Sequence, residues 1–99
     1  MNYINTDYYY QELSNIANDI ISEIEDNIWE SPNKELVLND GLPLNFSNNR
    51  KVVKLVIKND GYDYDDTYLV FEDGKEELLR EQTTDDIITI AEFVNGTIN

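Results

Sequence analysis

From Thr6 to about Trp29 the apolar residues Tyr9, Leu13, Ile16, Ala17, Ile20, Ile24 and Ile28 return at intervals of three and four, the period of one helix face. The pattern predicts a long amphipathic helix. Thr6 or Asn5 would cap it, Asp7 lies where the helix dipole favours a negative charge, and Ser31-Pro32 ends it. The period then shortens. Lys34 to Leu38 is a short apolar run, Asn39-Asp40-Gly41-Leu42-Pro43 reads as a turn, and Leu44 to Phe46 extends as a partner strand. Pro43 has no N–H for a ladder, so this hairpin is expected at a sheet edge or as an irregular element. Ser47-Asn48-Asn49-Arg50 is a second connection.

Lys51 to Lys58, KVVKLVIK, reads as the central strand, with Val53, Leu55 and Ile57 on one face and Val52, Lys54, Val56 and Lys58 on the other. An acidic loop leads to a strand from Thr67 to Phe71, with Leu69 and Phe71 on one face and Tyr68 and Val70 on the other. Glu72-Asp73-Gly74-Lys75 is a tight turn. Beyond it, Glu76 to Glu81 reads as a returning strand or, from its good helix formers, a short helix. Thr83-Thr84-Asp85-Asp86 starts the last helix, Ile87, Ile90, Ala91 and Val94 continue it, and Asn95-Gly96 supplies a stop. The fold class that results is α+β in one domain over residues 1–99: an N-terminal long helix, a three- to four-stranded antiparallel sheet and a C-terminal helix, the helices packed on one sheet face.

Charge sharpens this picture. The chain holds 21 Asp and Glu against 7 Lys and Arg, a net charge of -14. That balance repels nucleic acid and anionic membrane and draws the chain towards basic proteins. With 40% hydrophobic residues and 11% aromatics, the chain can nevertheless bury a core. Cysteine and histidine are both absent, which excludes disulfides, thiolate chemistry, a Ser-His relay and the common zinc sites. Carboxylate pairs alone would need a sugar-sized cleft for hydrolysis, so no enzyme and no cofactor are expected. No apolar run approaches the ~18 residues of a membrane span, and the start, MNYINTDYYY, has neither a basic nor an apolar signal region. The expected location is cytoplasmic.

Two acidic groups stand out. Glu12, Asp19, Glu23, Asp26 and Glu30 run opposite the apolar stripe of the first helix, and the first 33 residues contain seven acids with no Lys or Arg. A solvated helix ordinarily mixes signs, since Glu and Lys four apart contribute a few tenths of a kcal/mol and like charges cost about as much. Carboxylates spaced by roughly 4.5 to 10 Å of helix rise are on the scale of phosphates along a nucleic-acid strand. The second group is the loop Asp60, Tyr62, Asp63, Tyr64, Asp65 and Asp66, with Glu72 and Asp73 in the next turn. Tyrosine adds contact area at low entropy cost and carboxylates accept bidentate bonds from arginine, so this is a candidate arginine-binding surface. Tyr9 is expected in the core, with Tyr8 and Tyr10 partly exposed and extending the patch. A calcium loop is disfavoured, because Gly61 falls second rather than sixth and strands rather than helices flank it. Arg50, Lys51, Lys54 and Lys58 are expected to offset acids on neighbouring strands.

The segment LVIKNDGYDYDDTYLVF, a strand followed by Asn-Asp-Gly and an acidic loop, resembles part of the small acidic DNA-mimic and type II-A anti-CRISPR inhibitors of phages and mobile elements. The resemblance implies that Asp60, Asp63, Asp65 and Asp66, with Glu72 and Asp73, occupy the basic groove where a nuclease reads DNA. It covers about a sixth of the chain, and the first helix and tyrosine-rich start lie outside it. The expected function is therefore an anti-defence inhibitor that binds the basic nucleic-acid-binding groove of a host nuclease such as a CRISPR effector, with no direct nucleic-acid or membrane partner. The alternative is an immunity or antitoxin-like protein that neutralises a basic toxin nuclease.

Overall fold

Five strands fill four side-by-side positions in a computed structural model of the chain, which describes residues 2–11, 17–59, 61 and 65–98. The elements in order are α1 (Thr6–Gln11), α2 (Ala17–Trp29), β1 (Glu35–Val37), β2 (Leu44–Asn45), β3 (Lys51–Asn59), β4 (Asp65–Phe71), β5 (Glu76–Leu78) and α3 (Thr84–Ile98). The sheet order is β1-β3-β4-β5, every pairing is antiparallel, and β2 joins β3 beyond the end of β1. β1 and β2 are thus two pieces of one broken edge. The break is the turn Leu38–Gly41, where Asn39 and Asp40 take left-handed conformations (φ 49° and 55°) and Gly41 follows at 88°. A second left-handed pair, Asn48 and Asn49, turns β2 into β3, and asparagine tolerates this region better than other side-chain-bearing residues.

The expected long first helix is corrected by the structure. The N-terminal helix α1 is six residues, α2 is thirteen, and the Tyr9 hydroxyl of α1 donates to Glu23 of α2. In one straight helix those residues would stand ~21 Å apart along the axis, beyond the reach of both side chains. α1 therefore does not continue into α2 as one straight helix. Tyr9 is buried in the core, and the Tyr10 hydroxyl donates to Glu92 of α3 at 2.5 Å. Of the apolar positions assigned to that helix, Leu13 and Ile16 lie outside the described residues.

Ahead of α1 the chain is extended and held by two asparagines. Asn95 of α3 accepts from the Ile4 N–H and donates to the Ile4 carbonyl, each at 2.8 Å, while Asn27 of α2 accepts from the Asn2 N–H at 2.7 Å and donates to its carbonyl at 3.0 Å. Asn95 is consequently no helix stop. Its side chain is buried, Gly96 keeps a helical backbone, and α3 runs on to Ile98. The start of α3 matches expectation, since Thr83 Oγ1 accepts from the Asp86 N–H at 3.2 Å.

One core forms between the helices and one face of the sheet. Ile20, Ile24 and Ile28 of α2 and Ile87, Ile88, Ile90, Ala91 and Val94 of α3 pack with Leu36, Val52, Leu55, Ile57, Leu69 and Phe71 of the sheet. Val52 belongs to this face, not to the mixed face assigned from alternation. The β3–β4 register shifts between Val52 and Lys54, so Val53 is the extra residue of a bulge and the side-chain phase reverses across it. The segment after the β4–β5 turn combines both readings of it: β5 takes Glu76–Leu78 and a single 3₁₀ turn takes Leu79–Glu81.

Candidate partner-binding surface

The sheet offsets its own charge. Lys54 reaches Glu35 at 3.3 Å, Lys58 pairs with Glu76, Arg80 bonds Asp66 at 3.1 Å, and Arg50 bonds Glu77 at 2.5 Å. Arg50 also lies over the rings of both Phe46 and Phe71, with its guanidinium carbon 5.1 and 5.0 Å from their centres, and it donates to the Ser47 carbonyl at 3.1 Å. The Arg50 bond holds the Glu77 carboxyl below its ordinary range, against a smaller opposing effect of burial. Arg50, Lys54 and Lys58 thus pair with acids of this chain.

This arrangement bears on the loop and turn acids. Asp60, Tyr62, Asp63 and Tyr64 lie outside the described residues. Asp65 is exposed opposite Asn59 at the start of β4, whereas Asp66 is buried against Arg80. Glu72 and Asp73 sit exposed in the β4–β5 turn, where they share an open groove of about 370 Å³ with Arg50, Lys51 and Lys75. Asp73 accepts from the Lys75 N–H at 3.0 Å. The groove is mixed in sign. Among the described residues no group of carboxylates is arranged to hold a metal ion.

The helical side differs. All seven basic residues fall between Lys34 and Arg80, so α1, α2 and α3 contain none. Asp19, Asp26 and Glu30 of α2 are exposed; Glu23 is half-buried and accepts the Tyr9 hydroxyl. The structure adds Asp7 of α1 and Asp85 and Glu92 of α3 to this surface, all exposed. Site selection by acidic loops passes over Asp85 and Glu92, yet the signal is present: from Glu81 to the last residue there are four acids and no base, as in the first 33 residues. Glu12 lies outside the described residues.

Tyrosines are set among these acids. Tyr3, Tyr8 and Tyr10 are 64%, 54% and 46% exposed, while Tyr9 is buried edge-on to Tyr8 with ring centres 5.2 Å apart. The bond to Glu92, with burial and nearby Asp85 and Asp7, raises the Tyr10 hydroxyl to about 12. Burial first, then the bond to Glu23, pushes the Tyr9 hydroxyl up further. The two bonds fasten α1 across α2 and α3, leaving neighbouring rings facing solvent. α2 is tied to the sheet where Thr67 Oγ1 of β4 donates to Glu25 at 2.6 Å.

No helix among the described residues is long and apolar enough to cross a membrane. No family model matches the chain, and neither a curated protein nor a solved structure is found similar to it.

Proposed function

We propose that this protein is an acidic inhibitor that binds the basic nucleic-acid-binding groove of a host defence nuclease, in the manner of an anti-CRISPR or anti-restriction DNA mimic. The observation that carries the reading is the separation of charge: a helical side with exposed Asp7, Asp19, Asp26, Glu30, Asp85 and Glu92 and no basic residue in α1, α2 or α3, opposite a sheet side where Arg50, Lys54 and Lys58 pair with Glu77, Glu35 and Glu76. A surface of this kind replaces phosphates with carboxylates, and its binding weakens as salt screens the charges. Glu72 and Asp73 are a secondary acidic rim, because Arg50, Lys51 and Lys75 border them in the same groove.

The test begins with recovery of partners at low salt from the lysate of a CRISPR-bearing bacterium, followed by duplex-DNA binding to the recovered nuclease as this protein is added. The expected result is mutual exclusion, reduced at least tenfold when Asp19, Asp26 and Glu30 are replaced together by Asn. A nuclease that holds DNA and this protein at once would overturn groove occupancy and point to neutralisation away from the DNA path, as an immunity protein achieves it.

A further inference from the structure

A small cleft opens between the extended segment Asn2–Ile4 and α2. It holds about 60 Å³ and is lined by Asn2, Tyr3, Ile4, Glu23 and Asp26. A buried water needs roughly 10 to 15 Å³ measured in this way, so the cleft has room for a few waters or for one planar cationic head group. Its walls are unlike in kind. Ile4 is 1% exposed, Glu23 and Asp26 stand three residues apart on one side of α2, and Tyr3 is 64% exposed. Three of the five lining residues are held by bonds already described: Asn27 holds Asn2, Asn95 holds Ile4, and Tyr9 holds Glu23.

We infer that this cleft is a receptor for one arginine side chain of the basic partner, with Glu23 and Asp26 accepting from the guanidinium and the Tyr3 ring covering its face. The inference rests on the acidic-surface reading above and adds to it a selectivity that charge alone does not give. Guanidinium is planar, carries five N–H donors in a fixed fork and stacks on aromatic rings; an ammonium is a compact, strongly hydrated point charge. Two carboxylates beside an exposed ring suit the first. Charge complementarity selects the occupant, since the residues that line the cleft include two carboxylates and no Lys or Arg.

The probes are fluorescein-labelled nona-arginine and nona-lysine peptides, titrated by anisotropy at low salt, with the contact residues mapped from amide shifts of the ¹⁵N-labelled protein. The arginine peptide is expected to bind at least fivefold tighter, with its largest shifts at Tyr3, Ile4, Glu23 and Asp26. Asp26→Asn combined with Tyr3→Ser, both at exposed side chains, should bring the ratio of affinities close to one. Asp85→Asn, the same change of charge elsewhere on the helical side, should weaken both peptides equally and leave the ratio intact. Equal affinities in the parent protein, or a ratio indifferent to the double substitution, would overturn the arginine receptor while leaving the acidic surface in place. Failure of both peptides to bind, or shifts confined to the sheet, would overturn both.

Discussion

Asn95 presents its carboxamide to both backbone groups of Ile4, and Asn27 does the same for Asn2 two residues earlier, so the extended N-terminal segment is bonded as it would be beside a strand. The arrangement satisfies backbone groups that burial of Ile4 would otherwise strand. Asn95→Ala removes both bonds at a buried site and is expected to cost about 2 kcal/mol, read as a lower urea midpoint with unchanged slope. Its neighbour should respond in the opposite sense. Gly96 is helical, and a Cβ built there meets nothing within 4 Å. Gly96→Ala should therefore stabilise the protein by about 0.5 kcal/mol in the same measurement. The pair also shows where residue types mislead. Asn-Gly after a run of helical spacing reads as a stop, but here the asparagine amide has a tertiary partner 91 positions away, which local composition does not encode.

At the scale of elements, legibility follows how much of the signal is local. β3, β4 and the start of α3 were readable because alternation and the Thr83 cap act within a few residues. The bulge at Val53 was not, since one extra residue in a run of Val and Leu leaves no mark in composition. That α1 and α2 are not one straight helix was hidden because apolar spacing of three and four runs on from Tyr9 to Ile28. Of the candidate site, the α2 acids were legible from the sequence, whereas joining them to Asp85, Glu92 and the α1 tyrosines needed the helices laid side by side. That junction has a pH signature. Burial and the bond to Glu23 hold Tyr9 protonated, and the bond to Glu92 with burial does the same for Tyr10, so their folded-state values lie above the unfolded value near 10. Their contribution to stability is complete below that value and is lost as pH rises through the folded ones. Absorbance at 295 nm should show two tyrosines ionising late in the native protein; guanidinium should abolish the lag, and Tyr9→Phe with Tyr10→Phe should remove the late component.

Over the whole molecule, a net charge of -14 opposes folding by self-repulsion, and the helices give up the mixed-sign pairs that would relieve it. Salt should consequently stabilise this protein. Raising NaCl from ~0.01 M to ~0.15 M shortens the screening length from about 30 to about 8 Å, and a rise in Tm of roughly 4 °C is expected by calorimetry, near 1 kcal/mol for a domain of this size. A fall in Tm would mean that the sheet ion pairs outweigh the repulsion of the helical side. The same salt weakens attraction to a basic surface, so stability and affinity should move in opposite directions along one titration.

Segregation of the seven cations to the stretch between Lys34 and Arg80 also makes the molecule a permanent electric dipole, with its negative pole on the helices. A positively charged surface exerts a torque on such a body before it touches it. At low ionic strength the protein would be turned helices-first during diffusion, reducing the share of encounters lost to wrong orientations. Moving two lysines from the sheet to α2 would leave the net charge unchanged and cancel part of that alignment, slowing capture without changing how many charges are present.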